Sequence, residues 1–217
     1  MTMRSASMCL LAAGLALAAA TPAQAQEEGG FEGFMIEVPI GLATPLSEGQ
    51  WEDTADPSFV TGAAFGYMFS LGGWSAAIGP EVELTYSPVN VEDKRWGRDG
   101  GDDDVYIGRL RVTGGARFVV GFGSAYLLGR VGVGIDYAHA SWDNPPVGDA
   151  GEDTDDNDTA AALLLAMGMG YMVTDWLGLT LQMEFPIGFH DHQTNLPVEL
   201  DGDMLDLLAT AAVTFLL

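Results

Sequence analysis

Histidines beside hydroxyl or carboxylate side chains are the groups in this chain best suited to chemistry. His139 and Ser141 lie two positions apart, and a serine next to a histidine base could act as a nucleophile if a third group oriented the imidazole. His190 and His192 flank Asp191, but two histidines on one face of a strand hold a metal ion only with a further ligand, and the sequence identifies none. We therefore predict no catalytic residue, metal centre or cofactor from these groups.

A run of acidic and amide side chains over residues 153–158 suggests a different chemistry. Carboxylate and amide oxygens at alternating positions suit calcium, yet the run lacks the glycine and the final glutamate of an EF-hand loop. Plain solvation of an exposed loop is therefore favoured over specific calcium binding, and weak binding of divalent cations is compatible with either.

The composition restricts the class of protein that can carry these residues. The chain has 217 residues, of which 48% are hydrophobic, and 31 acidic against 8 basic side chains give a formal charge of -23. A nucleic-acid binder is excluded because phosphate recognition needs clustered Lys and Arg. A disordered acidic chain is disfavoured because such chains contain fewer apolar residues. The length predicts one domain, in which apolar and acidic residues must be segregated.

The amino terminus has the pattern of a secretory signal peptide. Arg4 provides a positive charge, residues 8–20 form an apolar segment too short for a transmembrane helix, and residues 23–25 (Ala-Gln-Ala) form a small-residue cleavage site. Three regions are therefore predicted: a signal peptide (1–25), a short periplasmic amino-terminal segment (26–33) and a mature domain (34–217).

Alternation of apolar and polar residues dominates the mature domain. Over residues 177–190 every odd position is apolar and the even positions are small or polar, which predicts a strand with one apolar face. Three other segments alternate as clearly, and four alternate less regularly. The eight predicted strands cover residues 34–42, 58–69, 74–87, 105–120, 125–140, 159–173, 177–190 and 205–217.

The connections between these strands alternate in length, which predicts an up-and-down meander. Strands of about ten residues have the length that crosses a membrane at a tilt. Of the 31 acidic residues, 21 fall in the long connections. Short connections lie near 71–73, 121–124 and 174–175, and long ones cover about 44–57, 88–104, 141–158 and 190–203.

The polar face of the strands carries arginine and acidic residues but no lysine. Arginine is preferred for buried ion pairs, so we predict that this face lines the interior of a narrow barrel and packs it with paired charges instead of forming an ion path. Glu81 and Glu83 are expected to neighbour Arg109 and Arg111 on the next strand. The predicted interior charge network comprises Glu37, Glu81, Glu83, Arg109, Arg111, Arg117, Arg130, Asp136, Glu184 and Asp206.

The apolar face is then expected to contact lipid, and aromatic residues near both ends of the strands support this orientation. The first girdle, near the short turns, comprises Phe34, Phe69, Trp74, Tyr171, Trp176 and Phe215. The second, near the long connections, comprises Phe59, Tyr86, Tyr106, Tyr137 and Phe189. A soluble periplasmic barrel that binds an apolar ligand inside, as lipocalins do, is the alternative orientation.

The mature domain resembles the small eight-stranded outer-membrane β-barrels of Gram-negative bacteria, the OmpA-like transmembrane domain and its relatives. The resemblance is architectural and covers nearly everything after residue 33, including a last strand that alternates through Val213, Phe215 and Leu217. It implies an all-β, eight-stranded antiparallel up-and-down transmembrane β-barrel in the bacterial outer membrane, with its long acidic loops outside the cell. The family usually ends on an aromatic residue, whereas Leu217 is last here.

The resemblance also implies partners and a role. The expected partners are outer-membrane lipids and lipopolysaccharide, the barrel assembly machinery that reads the last strand, and divalent cations held weakly by the acidic loops. The expected role is non-enzymatic, in envelope integrity or surface interactions. The enzyme alternative is a lipid-A-modifying acyl hydrolase, because His139 and Ser141 resemble the His-x-Ser pair of the lipid A deacylase branch, although Trp142 replaces the asparagine of that family.

Overall fold

A computed structural model describes residues 31–46, 57–71, 75–91, 105–142, 155–192 and 200–217. The predicted signal peptide, residues 26–30 of the periplasmic segment and much of the four long connections lie outside these residues. Among the described residues, no helix is long and apolar enough to cross a membrane.

Eight β-strands pair in chain order, each antiparallel to the next, and the eighth pairs with the first so that the sheet closes. The predicted eight-stranded antiparallel up-and-down barrel is thereby confirmed. The strands are β1 (Gly33–Pro45), β2 (Ser58–Ser70), β3 (Ala76–Val91), β4 (Val105–Phe122), β5 (Ala125–Trp142), β6 (Asp155–Met172), β7 (Leu177–His192) and β8 (Leu200–Leu216).

Several strands extend further toward the long connections than the alternation predicted. β3 continues to Val91, β6 begins at Asp155 and β8 begins at Leu200. Backbone hydrogen bonds depend little on side-chain polarity, so a ladder can continue where apolar alternation stops. Six acidic residues assigned to loops from the sequence therefore lie on strands: Asp155, Asp156, Asp158, Asp191, Asp201 and Asp203.

Side chains alternate between the two faces of the sheet, and the apolar ones point outward. On β1, Phe34 is 63% exposed, whereas its neighbour Met35 and the interior Glu37 are buried. Val133 on β5 and Met167 on β6 are likewise more than half exposed. A lipocalin-like barrel would place these apolar side chains around an internal cavity, so that alternative orientation is wrong.

The ends of the barrel interior are apolar. Phe31, just before β1, packs edge-on against Tyr126 at a ring-centroid distance of 5.4 Å. This contact belongs to a buried cluster at the short-turn end that also contains Met35, Met68 and Met172. A smaller group, formed by Ala43, Val60 and Leu208, lies nearer the long connections. The buried charged side chains lie on the long-connection side of the first cluster.

Candidate functional site: the charged interior of the barrel

All ten residues of the predicted network are buried. Their ion pairs divide them into two groups along the barrel axis. The glutamate cluster, nearer the short turns, contains Glu37, Glu81, Glu83, Glu184, Arg117 and Arg130. The aspartate cluster, nearer the long connections, contains Asp136, Asp206, Arg109 and Arg111.

Glu37 on β1 is the most fully bonded carboxylate of the glutamate cluster. Arg117 on β4 donates from Nη2 to Oε1 at 2.7 Å and from Nη1 to Oε2 at 2.8 Å. Gln182 on β7 donates to Oε1 at 2.6 Å, and Thr214 on β8 donates to Oε2 at 2.8 Å. The forked arginine–carboxylate geometry is among the strongest hydrogen-bonded pairings in proteins, and here it joins four strands across the interior.

Two arginines of the glutamate cluster face each other across β4 and β5, since Arg117 pairs in register with Arg130. Glu81 lies between them, with Oε2 2.5 Å from Arg117 Nε and Oε1 2.6 Å from Arg130 Nε. Arg130 also contacts Glu83 at 2.6 Å and Glu184 at 3.6 Å. The bridging carboxylate therefore offsets a repulsion that the register alone would create.

The glutamate cluster contains more negative than positive charge. Four carboxylates surround two guanidinium groups, and Glu83 Oε1 and Glu184 Oε2 are buried without a hydrogen-bond partner among the described residues. Glu184 accepts one hydrogen bond, from the Thr210 hydroxyl at 3.2 Å. A buried carboxylate oxygen without a partner costs free energy, so Glu184 is the least compensated acid of the cluster.

The aspartate cluster is compact and balanced in charge. Arg109 bonds to Asp136 and, at 2.5 Å, to Asp206. Arg111 lies 3.0 Å from Asp136 and 3.4 Å from Asp206. Each aspartate is thus shared by two arginines, and residues 97 positions apart in the chain are joined.

The predicted pairing of Glu81 and Glu83 with Arg109 and Arg111 is wrong. In the observed register between β3 and β4, glycine and threonine lie opposite the two glutamates, while serine and threonine lie opposite the two arginines. The stagger of the strands instead brings the two glutamates to Arg117 and Arg130, which lie nearer the short turns. The observed pairs are Glu81–Gly115, Glu83–Thr113, Ser87–Arg109 and Thr85–Arg111.

Several uncharged residues belong to the same interior and were not included in the prediction. Besides Gln182, a hydroxyl chain joins Tyr126 to Thr180 at 2.6 Å and Thr180 to Thr214 at 3.0 Å. All of them lie on the polar face of their strands, so their position in the alternation was the available signal. Gly170 makes room for this chain, because a Cβ there would overlap the Tyr126 ring.

His190 is also part of the interior. Its Nδ1 lies 2.5 Å from Asp158 Oδ2, and its Nε2 lies 3.7 Å from Asp136. Asp158 therefore points inward, whereas its neighbour Asn157 is exposed, so adjacent members of the predicted calcium-type run lie on opposite faces of β6. Within the described residues, no three His, Cys, Asp or Glu side chains are arranged to hold a metal ion.

His139 and Ser141 lie on the outward face of β5, near its end. Asn157 on β6 contacts His139, with Oδ1 2.7 Å from Nδ1, and accepts a hydrogen bond from the Tyr137 hydroxyl at 2.5 Å. Asn157 could thus orient the imidazole, a role that no residue near His139 in sequence suggested. Among the described residues, no hydrogen bond joins Ser141 to His139.

Aromatic side chains make contacts at both ends of the outward face. At the short-turn end, Tyr67 packs against Phe34 at 4.9 Å and Phe69 at 4.8 Å between ring centroids. Trp176 stacks on Phe215 at 6.3 Å. Near the long connections, the hydroxyl groups of Tyr86 and Tyr106 are in contact. Aromatic rings with polar edges are common where a membrane meets water.

No family model matches the chain, and no curated protein matches it in sequence. Among solved structures, Neisserial surface protein A aligns with a TM-score of 0.52 at 14% identity, covering 85% of this chain and 97% of that one. The attachment invasion locus protein of Yersinia pestis aligns with a TM-score of 0.46 at 14% identity, over 85% of this chain and 99% of its own. Outer membrane protein OprG from Pseudomonas aeruginosa aligns with a TM-score of 0.46 at 16% identity, over 87% and 99%. At these identities the likeness concerns the fold alone: the chain has the fold of the small eight-stranded outer-membrane barrels.

Proposed function

We propose that this chain is an integral outer-membrane barrel without enzymatic activity. In this proposal its long acidic connections form a hydrophilic surface outside the cell, and the protein contributes to envelope integrity or to surface interactions. The observation that carries the proposal is the distribution of side chains, with large apolar residues outward and paired charges inward.

This distribution favours lipid as the surrounding solvent. Closure of the sheet satisfies the backbone hydrogen bonds without an exposed edge, a condition for strands in a bilayer. Contact of the outward apolar residues with lipid chains instead of water lowers the free energy of the barrel. Because the glutamate and aspartate clusters fill the interior, the barrel is better suited to anchoring its connections than to conducting solutes.

The charge balance supports a role at the cell surface. Of the 8 basic residues in the chain, the four that face the interior are buried in ion pairs. The rest of the chain is therefore strongly acidic in composition, which favours solubility and repels anionic surfaces. Lipopolysaccharide around the barrel, weakly held divalent cations at the acidic connections and the assembly machinery during insertion are the proposed partners.

Fractionation combined with a heat-shift gel tests the membrane assignment. The expressed full chain should sediment with outer membranes, and its mobility in detergent gels should change on boiling because a closed barrel resists unfolding without heat. The intact mass of the mature protein should correspond to removal of residues 1–25. A soluble chain without a heat shift would contradict the membrane assignment.

An acyl hydrolase acting on lipid A is a second candidate, favoured only by the contact between Asn157 and His139. Oriented by Asn157 through Nδ1, the imidazole could present Nε2 to a proton donor such as the Ser141 hydroxyl. The test is the acyl-chain content of lipid A in cells that express the parent protein or Ser141→Ala. Ser124→Ala in the β4–β5 turn is the control. Equal acyl content in all three would exclude this function for His139 and Ser141.

A further inference from the structure

Three prolines interrupt the hydrogen-bonded ladders of the barrel. Between β2 and β3 the register runs to Gly66–Glu81 and resumes at Phe69–Ile78, which leaves Tyr67, Met68, Gly79 and Pro80 outside it. Pro39 causes a similar gap between β1 and β2, and Pro186 causes one between β7 and β8. Each proline pairs with its other neighbouring strand. Since proline has no N–H to donate, one of its two ladders must lose a bond.

Two of these gaps flank β2, and a groove lies on the outer wall beside the gap between β2 and β3. The groove has a volume of about 520 Å³ and includes two of the residues left out of the β2–β3 ladder, Tyr67 and Pro80. Its volume falls within the range of sites that hold small organic molecules. Its outward lining is apolar and comprises Phe34, Ile36, Phe65, Tyr67, Pro80 and Val82.

The position of the groove determines what can occupy it. It opens on the outward face that the proposed function places in lipid, so an alkyl chain is its natural occupant. It lies near the short-turn end, where Leu217 also lines it. Tyr67, which packs between Phe34 and Phe69, presents a phenol of the kind found at headgroup level.

We propose that this groove binds one acyl chain of a phospholipid from the leaflet on the short-turn side, with its headgroup near Tyr67. This inference rests on the proposed membrane function. The interrupted β2–β3 ladder provides the depression in the barrel wall, and the apolar lining provides the affinity. A bound chain would cover a part of the wall where the backbone pairing is interrupted.

Native mass spectrometry of the full chain in detergent with added phosphatidylethanolamine tests the proposal. Val82→Trp should fill the groove, since Val82 lines it and is 53% exposed. Its retention of phospholipid on activation should fall about tenfold, the change expected when about two methylene groups lose their burial. Val133→Trp is the matched control, because Val133 is an outward valine, 66% exposed, on the distant strand β5.

Retention by the parent and by Val133→Trp, with loss in Val82→Trp, supports the proposal. Equal retention in all three proteins, or no retention in the parent, overturns it. A heat-shift gel on the same samples separates the two hypotheses: a chain that inserts and shifts but shows no difference at Val82 contradicts only the groove. If Val82→Trp does not fold, Ile36→Trp fills the groove from β1.

Discussion

At the Glu37 carboxylate, four hydrogen-bond donors converge from β4, β7 and β8. Glu184, in the same cluster, has one hydroxyl donor and a distant arginine at 3.6 Å. The two glutamates are equally buried, so the difference between them lies in their partners. Charge compensation, not burial, should therefore decide which carboxylate stabilises the barrel.

Replacement of each glutamate by glutamine tests this difference. Glu37→Gln removes half of the fork with Arg117 and should lower the free energy of unfolding by about 3 kcal/mol. Glu184→Gln removes an excess buried charge while keeping the shape of the side chain. It should lower the free energy of unfolding by less than about 1 kcal/mol, or raise it. Urea unfolding in lipid vesicles, followed by the heat-shift band, measures both. Equal losses would contradict the proposed division of roles.

Gly170 offers a second test at the residue scale. A methyl group at this position would overlap the Tyr126 ring and displace its hydroxyl from Thr180. We expect Gly170→Ala to destabilise the barrel by about 2 kcal/mol through overpacking. Gly129→Ala is the control, because a Cβ there meets nothing within 4 Å and should cost less than about 0.5 kcal/mol. The same urea assay should separate the two variants.

Which side chains face inward could be predicted residue by residue, because the period of two in a strand assigns each side chain to a face. Which interior residues meet could not. Arg109 on β4 bonds to Asp206 on β8, across the barrel interior. Glu81 contacts Arg117 and Arg130 instead of the predicted Arg109 and Arg111. Register and strand stagger determine these contacts, and neither is encoded in the alternation.

At the scale of the strands, the number and direction of the elements were predictable but their ends were not. Apolar alternation marks the part of a strand whose outward face is apolar, and it stops where both faces become polar. β6 extends beyond that point toward the long connection and begins at Asp155. Pro39, Pro80 and Pro186 each interrupt one of two ladders. Which ladder is interrupted depends on the neighbouring strand that the missing N–H would have faced, and the sequence alone does not specify that strand.

The gap between β2 and β3 should be visible as rapid amide exchange. We expect the amide of Tyr67 to exchange faster than those of Phe65 and other paired residues of β2, since Tyr67 lies outside the β2–β3 ladder and its neighbour on β1, Phe34, bonds to Leu217 instead. Pro80→Ala restores an N–H and should slow exchange at Tyr67. Hydrogen exchange of the barrel in detergent, read by NMR, provides the measurement.

Pro88→Ala is the control for that experiment. Pro88 pairs with Gly108 of β4 and lies beyond the last β2–β3 pair, Thr61–Tyr86. Its replacement should leave exchange at Tyr67 unchanged. Slow exchange at Tyr67 in the parent protein would mean that β2 and β3 are held together there by other means, and would contradict the interpretation that the ladder is interrupted at Pro80.

At the scale of the whole molecule, three groups of buried side chains follow one another along the barrel: the apolar cluster around Phe31, the glutamate cluster and the aspartate cluster. An eight-stranded barrel has just enough interior for side chains, so we expect each layer to close the cross-section by itself. We expect the parent protein in a planar bilayer to pass no more current than lipid alone. The double variant Met35→Ala/Met68→Ala, which hollows only the apolar layer, should remain equally silent because ions would still meet two layers of paired charge. Current in this variant alone would locate the barrier to ions at the apolar layer. Current in the parent protein would show that the ion pairs open, and the barrel would then be interpreted as a conducting channel and not as an anchor.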